Sequence, residues 1–110
     1  MSTFEFEKCR FDDAEISCVA ADGDSLLVTY RDWQEQEHQL IFEMVAGYQW
    51  FSPEGKALSH GTVDVEDPFL SLACEMADED SMDGFKVYSF ISVWNDAKIL
   101  RVVAKDVRQI

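Results

Sequence analysis

Apolar and polar residues alternate along most of this chain with the period of two that a half-buried strand requires. In Ala14–Ala21, Ile16, Cys18 and Ala20 fall on one face, opposite Ser17 and Val19. Asp22-Gly23-Asp24 follows, and Asp-Gly is a strong hairpin-turn signal. Ser25–Trp33 then places Leu26, Val28 and Tyr30 on one face and Leu27, Thr29, Arg31 and Trp33 on the other. Past the polar Gln34–Glu37, Leu40, Phe42 and Met44 share a face within His38–Phe51, and Gly47 marks a bulge or bend. After the turn Ser52–Lys56, a weaker strand covers Ala57–Glu66 with Val63 and Val65 on one face. Phe85–Trp94 and Lys98–Ile110 read as a closing hairpin, with Leu100, Val102 and Ala104 on its cleaner apolar face. Ile99, Val103 and Val107 indicate that the opposite face is partly covered as well.

One segment breaks the alternation. Asp67-Pro68 is a helix start, because Asp caps free N–H groups and Pro suits the first helical position. Phe69, Leu72, Ala73, Met76 and Ala77 then recur at helical spacing, which predicts a short amphipathic helix over 68–77. The fold class is α+β: an antiparallel sheet of about six strands with one short helix. The length of 110 residues predicts a single domain, 1–110.

Charge changes this picture. The formal net charge is -13, and residues 57–85 contain eight carboxylates and no Lys or Arg. Asp64, Glu66 and Asp67 precede the helix, where its dipole favours them. Glu75, Asp78, Glu79, Asp80 and Asp83 lie at its C-terminal end or beyond, where the dipole opposes them. Such a chain repels phosphate backbones and anionic headgroups, so nucleic acid and membrane are not expected as partners, whereas a basic protein is steered toward it. The N-terminus lacks a basic stretch followed by an apolar core, and no apolar run approaches the ~20 residues that span a bilayer, so a cytoplasmic location is expected. Cys9, Cys18 and Cys74 form no C-x-x-C pair and read as free thiols, two of them buried.

Candidate chemistry is sparse. A calcium loop centred on Gly84 would start at Glu79 and put Phe90 where the bidentate Glu belongs, so neither a metal nor a cofactor is expected. His38 and His60 have no partner at metal-ligand spacing. No phosphate loop, nucleophile elbow or His-Glu-x-x-His motif occurs, so no catalytic residue is assigned and an enzyme is not expected. An enzyme built on Cys74 or His60 is the third-ranked alternative. Phe11–Ile16 is a second acidic concentration, read as a polar turn launching a strand. Trp33, Trp50, Trp94, Tyr48 and Phe51 sit at strand ends, where aromatics serve as core edges more often than as interface anchors.

The Phe11–Ile16 stretch, the strand after Asp22–Asp24, the Leu40–Phe51 segment and the closing Ile99–Ile110 together resemble families of small uncharacterised bacterial β-rich proteins, including immunity proteins of polymorphic toxin systems. Phe11, Asp13, Ala14, Glu15, Leu40 and Phe42 match that pattern, whereas Asp12 stands where it has His, so no role for that His carries over. The resemblance implies a non-enzymatic binding protein of the bacterial cytosol. From the residues and the resemblance together, the expected partner surface comprises Asp64, Glu66, Glu75, Asp78, Glu79, Asp80 and Asp83 with Tyr48 and Trp50, and it would meet a basic protein such as a toxin. A self-associating module, a homodimer built on exposed strand edges and aromatics, is the alternative.

Overall fold

The computed structural model describes residues 4–110. The leader-free N-terminus expected above falls partly on residues 1–3, outside the described residues. A 3-10 turn, Phe6–Lys8, precedes β1 (Glu15–Asp22), β2 (Ser25–Arg31), β3 (Glu37–Trp50), β4 (Leu58–Asp64), α1 (Pro68–Met76), β5 (Lys86–Ser92) and β6 (Lys98–Gln109). The strands form one antiparallel sheet in the order β1-β2-β3-β6-β5-β4. Six antiparallel strands and one helix match the fold class read from the alternation.

The sheet curls until its two outer strands meet at their starts. The Leu58 N–H donates to the Ala14 carbonyl at 2.8 Å, and the Asp13 N–H donates to the Leu58 carbonyl at 3.0 Å. Glu15 bridges Ala57, and the Gly55 N–H reaches the Ile16 carbonyl. The concave face therefore encloses the main core, with Ile16, Leu26, Val28, Leu40, Phe42, Leu58, Phe90, Leu100 and Val102 all fully buried. Phe6 and Phe11 from the N-terminal segment close this core as two more aromatic walls. On the convex face, α1 lays Leu70, Ala73 and Cys74 on Phe85, Val87 and Val103. Of the three residues read as the second face of β6, Val103 is covered by α1, whereas Ile99 and Val107 join the main core. Gly47 faces α1, where an added Cβ would stand 3.3 Å from the Cβ of Ala73.

Bulges move several side chains from their expected faces. A register shift between Ile16 and Cys18 turns Cys18 and Ala20 out to solvent and brings Val19 onto the core. A second irregularity lies between Val45 and Gly47, preceded by Met44 in a left-handed conformation with φ 55. Pairing stays in register across Met44, from Glu43–Asp106 to Val45–Ala104, so it is the left-handed backbone at Met44 that accompanies its exit from the face of Leu40 and Phe42, with Val45 packed on the core in its place. The change in β1 follows from the period of two, since one extra residue carries every later side chain to the other face. β4 stops at Asp64, which leaves Val65 exposed, not paired with Val63 on a strand face. Of the three thiols only Cys74 is buried; Cys9 is half-buried and Cys18 exposed.

Candidate functional site

The first turn of α1 is anchored by Asp67, which is buried. Its Oδ1 accepts the Phe69 N–H at 2.9 Å, the cap that the Asp-Pro start implies. Lys98 Nζ lies 3.3 Å and Arg101 Nη1 3.1 Å from its Oδ2. Arg101 also donates through Nε to Gln49 Oε1 at 2.7 Å, and its guanidinium stands 4.9 Å over the Phe69 ring. Burial pushes the Asp67 carboxyl up, but the Phe69 N–H, Lys98 and Arg101 together outweigh it and hold the group below its ordinary value. The cations at this end of the helix are therefore committed to Asp67.

The other end is built in the opposite sense. The Asp78 N–H donates to Glu75 and the Glu79 N–H to Cys74, with Asp78 left-handed at φ 56. That is a Schellman closure with Asp where Gly is usual. Glu75, Asp78, Glu79, Asp80 and Asp83 are all exposed, and none makes an ion pair among the described residues. Asp64 and Glu66 lie across the helix from them; Asp64 is half-buried and accepts the Glu66 N–H at 2.8 Å. A nine-residue helix separates the two acidic groups by about 13 Å.

Tyr48 and Trp50 lie elsewhere. Tyr48 pairs with Val102 and Trp50 with Leu100, which puts both on the concave side, while the intervening Gln49 faces Arg101 on the convex side. The seven carboxylates flank the helix on the convex side, so the nine expected partner residues form separate patches. Tyr48 and Trp50 keep 44% and 48% exposure, and the remaining end aromatics are also open: Trp33, Phe51 and, at 85%, Trp94. The core-edge reading of these residues is thus corrected. Tyr48 and Trp50 have β6 on one side but lie past the last pairing of β3 with β2, Phe42 with Leu26, and Trp94 lies past the end of β5 at Ser92. Trp50, Phe51, Val93 and Trp94 gather at one end of the sheet, where the Phe51 N–H bonds Ile99 and the Val93 N–H bonds Ala57.

A concavity of about 610 Å³ includes Cys9, Arg10, Tyr30, Asp32, Trp33, His38 and Gln109 in its lining. Asp32 accepts the Gln34 and Gln36 N–H groups at 2.9 Å each and pairs with His38 Nε2 at 2.8 Å. The His38 ring stacks on Tyr30, centroids 5.0 Å apart, and its Nδ1 faces the Gln109 amide at 3.3 Å. The His38 contact and the two backbone N–H groups hold Asp32 below its ordinary value, against a small push from burial. Both ring nitrogens thus have a partner, which fixes the orientation of the imidazole. Cys9 beside it is pushed by burial up to about 11, which removes its thiolate at neutral pH. Asp32 and His38 were not linked by spacing alone; the only local signal was an Asp opening the polar turn before β3.

The alternative residues for chemistry are similarly placed. Cys74 is buried and its thiol is pushed up by burial and by Glu79, against Lys105. His60 is exposed and shares a 2.9 Å contact with the neighbouring Ser59 hydroxyl. Among the described residues, no group of three His, Cys, Asp or Glu side chains could hold a metal ion, and no helix is long and apolar enough to cross a membrane. No family model, curated protein or solved structure matches the chain.

The thiols give a direct check on this arrangement. Brief alkylation of the folded protein with iodoacetamide at neutral pH is expected to label Cys18 first, with Cys9 and Cys74 lagging until denaturant is added. Peptide mapping by mass spectrometry reads the order directly. Early labelling of Cys9 would mean that the N-terminal segment does not cover it.

Proposed function

We propose that this chain is a non-enzymatic domain of a bacterial cytosol that works by binding a basic protein, an immunity-type role in which the partner is a cationic toxin. One observation supports this reading above the others. Glu75, Asp78, Glu79 and Asp80 crowd the C-terminus of α1, exposed and without ion pairs among the described residues. Each carboxylate there opposes the helix dipole by about 0.3–1 kcal/mol, and each repels the others. Solubility asks only for carboxylates somewhere on the surface, and the first turn of the same helix would favour them. A cationic partner converts this local cost into attraction and speeds its own approach.

The test is the triple charge reversal Asp78→Lys, Glu79→Lys, Asp80→Lys. Proteins captured from lysate at low salt by the wild type are expected to be lost from the variant, and to elute from the wild type as salt rises. Capture insensitive both to the reversal and to salt sinks the reading. Self-association is the second reading, favoured by the exposed Trp50, Phe51, Val93 and Trp94 at one end of the sheet. Light scattering separates the two: a tight dimer that survives the triple reversal and is broken by Trp94→Ala supports the second.

A further inference from the structure

A sheet of six strands has two edges, and this chain treats them differently. The β4 edge is blunted. The Val63 N–H is taken by Glu7 Oε2 at 3.3 Å, Phe6 lies against Gly61, and the strand is irregular between Leu58 and His60. The start of β1 is likewise occupied, by Glu54–Leu58. From Ser17 to Asp22, however, β1 has β2 on one side and no backbone partner on the other among the described residues. The bulge ends at Cys18, so the pairing from Cys18 to Asp22 is regular. Among the described residues no loop or helix covers this stretch: its side chains are Cys18, Val19, Ala20, Ala21 and Asp22, with no Lys or Pro, and all but Val19 are exposed.

The hairpin turn tells which groups face outward. Gly23 alone of its two central residues has positive φ, 61, the pattern of a type II′ turn. Asp22 and Ser25 are then a hydrogen-bonded pair, as are Ala20 with Leu27 and Cys18 with Thr29. Val19 and Ala21 in consequence turn their N–H and C=O groups away from the sheet. The surroundings are acidic. Asp12, Asp13, Glu15, Asp22 and Asp24 are the five carboxylates between Asp12 and Tyr30, and that span has no Lys or Arg. Arg31 lies 4.0 Å from Glu15.

We propose that the open edge of β1, Ser17–Asp22, receives an extended basic segment of the partner protein as a seventh strand. Main-chain bonds to Val19 and Ala21 would supply affinity, and Lys or Arg at the two ends of the segment would meet Asp22 and Asp24 at one end and Glu15 at the other. Small side chains along the edge let the added backbone approach without displacing anything. A second copy of this chain fits the edge poorly, because a two-fold antiparallel pairing of β1 with itself sets Asp22 and Asp24 of one copy toward Glu15 of the other. The proposal rests on the reading of the chain as a binder of basic proteins, and specifies how the partner is held.

The probe is a ten-residue peptide with a Val- and Thr-rich centre and two Lys at each end, followed by fluorescence anisotropy. Ala21→Pro removes an outward N–H and leaves the bonds to β2 in place, a position where an edge strand tolerates Pro. It is expected to weaken the peptide by about 10-fold or more, with an unchanged thermal melt. If the variant melts early, amide exchange on the wild type decides instead: protection of the Val19 and Ala21 N–H groups only when peptide is present supports the proposal, and no added protection overturns it. A peptide N-methylated at alternate residues should fail to bind; equal binding would show charge alone and overturn the edge. Peptide binding unaffected by Ala21→Pro but abolished by the Asp78, Glu79 and Asp80 reversal would overturn the edge while leaving the basic partner standing. Binding to neither surface removes both. A wild-type dimer that Ala21→Pro converts to monomer would assign the edge to a second copy and overturn the proposal.

Discussion

Phe6→Ala should lower stability by about 4 kcal/mol, equivalent to a melting point lower by about 15 °C. Phe6 belongs to a three-residue turn that no helix or strand propensity would single out, yet it is 3% exposed. Its ring centroid stands 5.4 Å from Phe11, 5.3 Å from Tyr88, 5.1 Å from Phe90 and 6.1 Å from Phe42. Most of these contacts are edge-on or tilted, the arrangement in which aromatic quadrupoles attract. Room for the ring is made by Gly61, where an added Cβ would lie 2.6 Å from Phe6 Cε2 and 2.9 Å from Phe11 Cε2. Truncation leaves a void at the mouth of the concave core, and the removed ring loses its transfer energy as well. A double-mutant cycle sharpens the expectation. Gly61→Ala alone overpacks the site and should cost about 1–3 kcal/mol. In the Phe6→Ala background the new methyl enters the void, so most of that cost should vanish, a coupling of about 1–2 kcal/mol read from denaturant midpoints. Strict additivity would show that the N-terminal turn is not seated over Gly61 in solution.

The sheet and helix were legible because their signals are local. Alternation in Leu26, Val28 and Tyr30 and in Leu100, Val102 and Ala104 survives into the structure unchanged, and Asp67-Pro68 starts α1 where its chemistry requires. Alternation cannot announce a bulge. Alternation puts Cys18 and Met44 on apolar faces, yet an extra residue in β1 turns Cys18 to solvent and a left-handed backbone in β3 does the same to Met44. Hydropathy says what a side chain prefers, not whether neighbouring strands are long enough to cover it, and so the exposure of Trp50, Phe51 and Trp94 was not legible. Asp32 with His38, and Phe6 with Gly61, are contacts that the fold assembles from residues carrying no shared pattern. The carboxylates of the candidate surface were visible in the composition. Their division into two groups at opposite ends of a helix, with Tyr48 and Trp50 on the other side of the sheet, depends on register and on the helical connection between the adjacent strands β4 and β5.

Asp67→Ala should cost about 3 kcal/mol, and Asp67→Asn about half of that. Alanine removes the cap of α1 and leaves Arg101 without its carboxylate; asparagine keeps a capping oxygen but loses the charge and the second acceptor that faces Lys98 and Arg101. The guanidinium of Arg101 stays held by Gln49 and Phe69 in either variant, so it cannot swing freely to water. The pH profile separates charge from cap. The folded-state pKa of Asp67 lies below its unfolded value of about 3.9, so its contribution is complete above that value and is lost as pH falls through the folded pKa. Asp32 has the same sign and adds to the same acid limb. Wild-type stability should therefore decline below about pH 4, and Asp67→Asn should decline less steeply there because the Asp32 component alone remains of this pair. Urea midpoints measured from neutral pH downward show this as converging curves, with the wild-type advantage shrinking as acid protonates Asp67. Parallel curves would mean that Asp67 is not ion-paired in the folded protein, and would remove the account of why the cations beside α1 are unavailable to an outside partner.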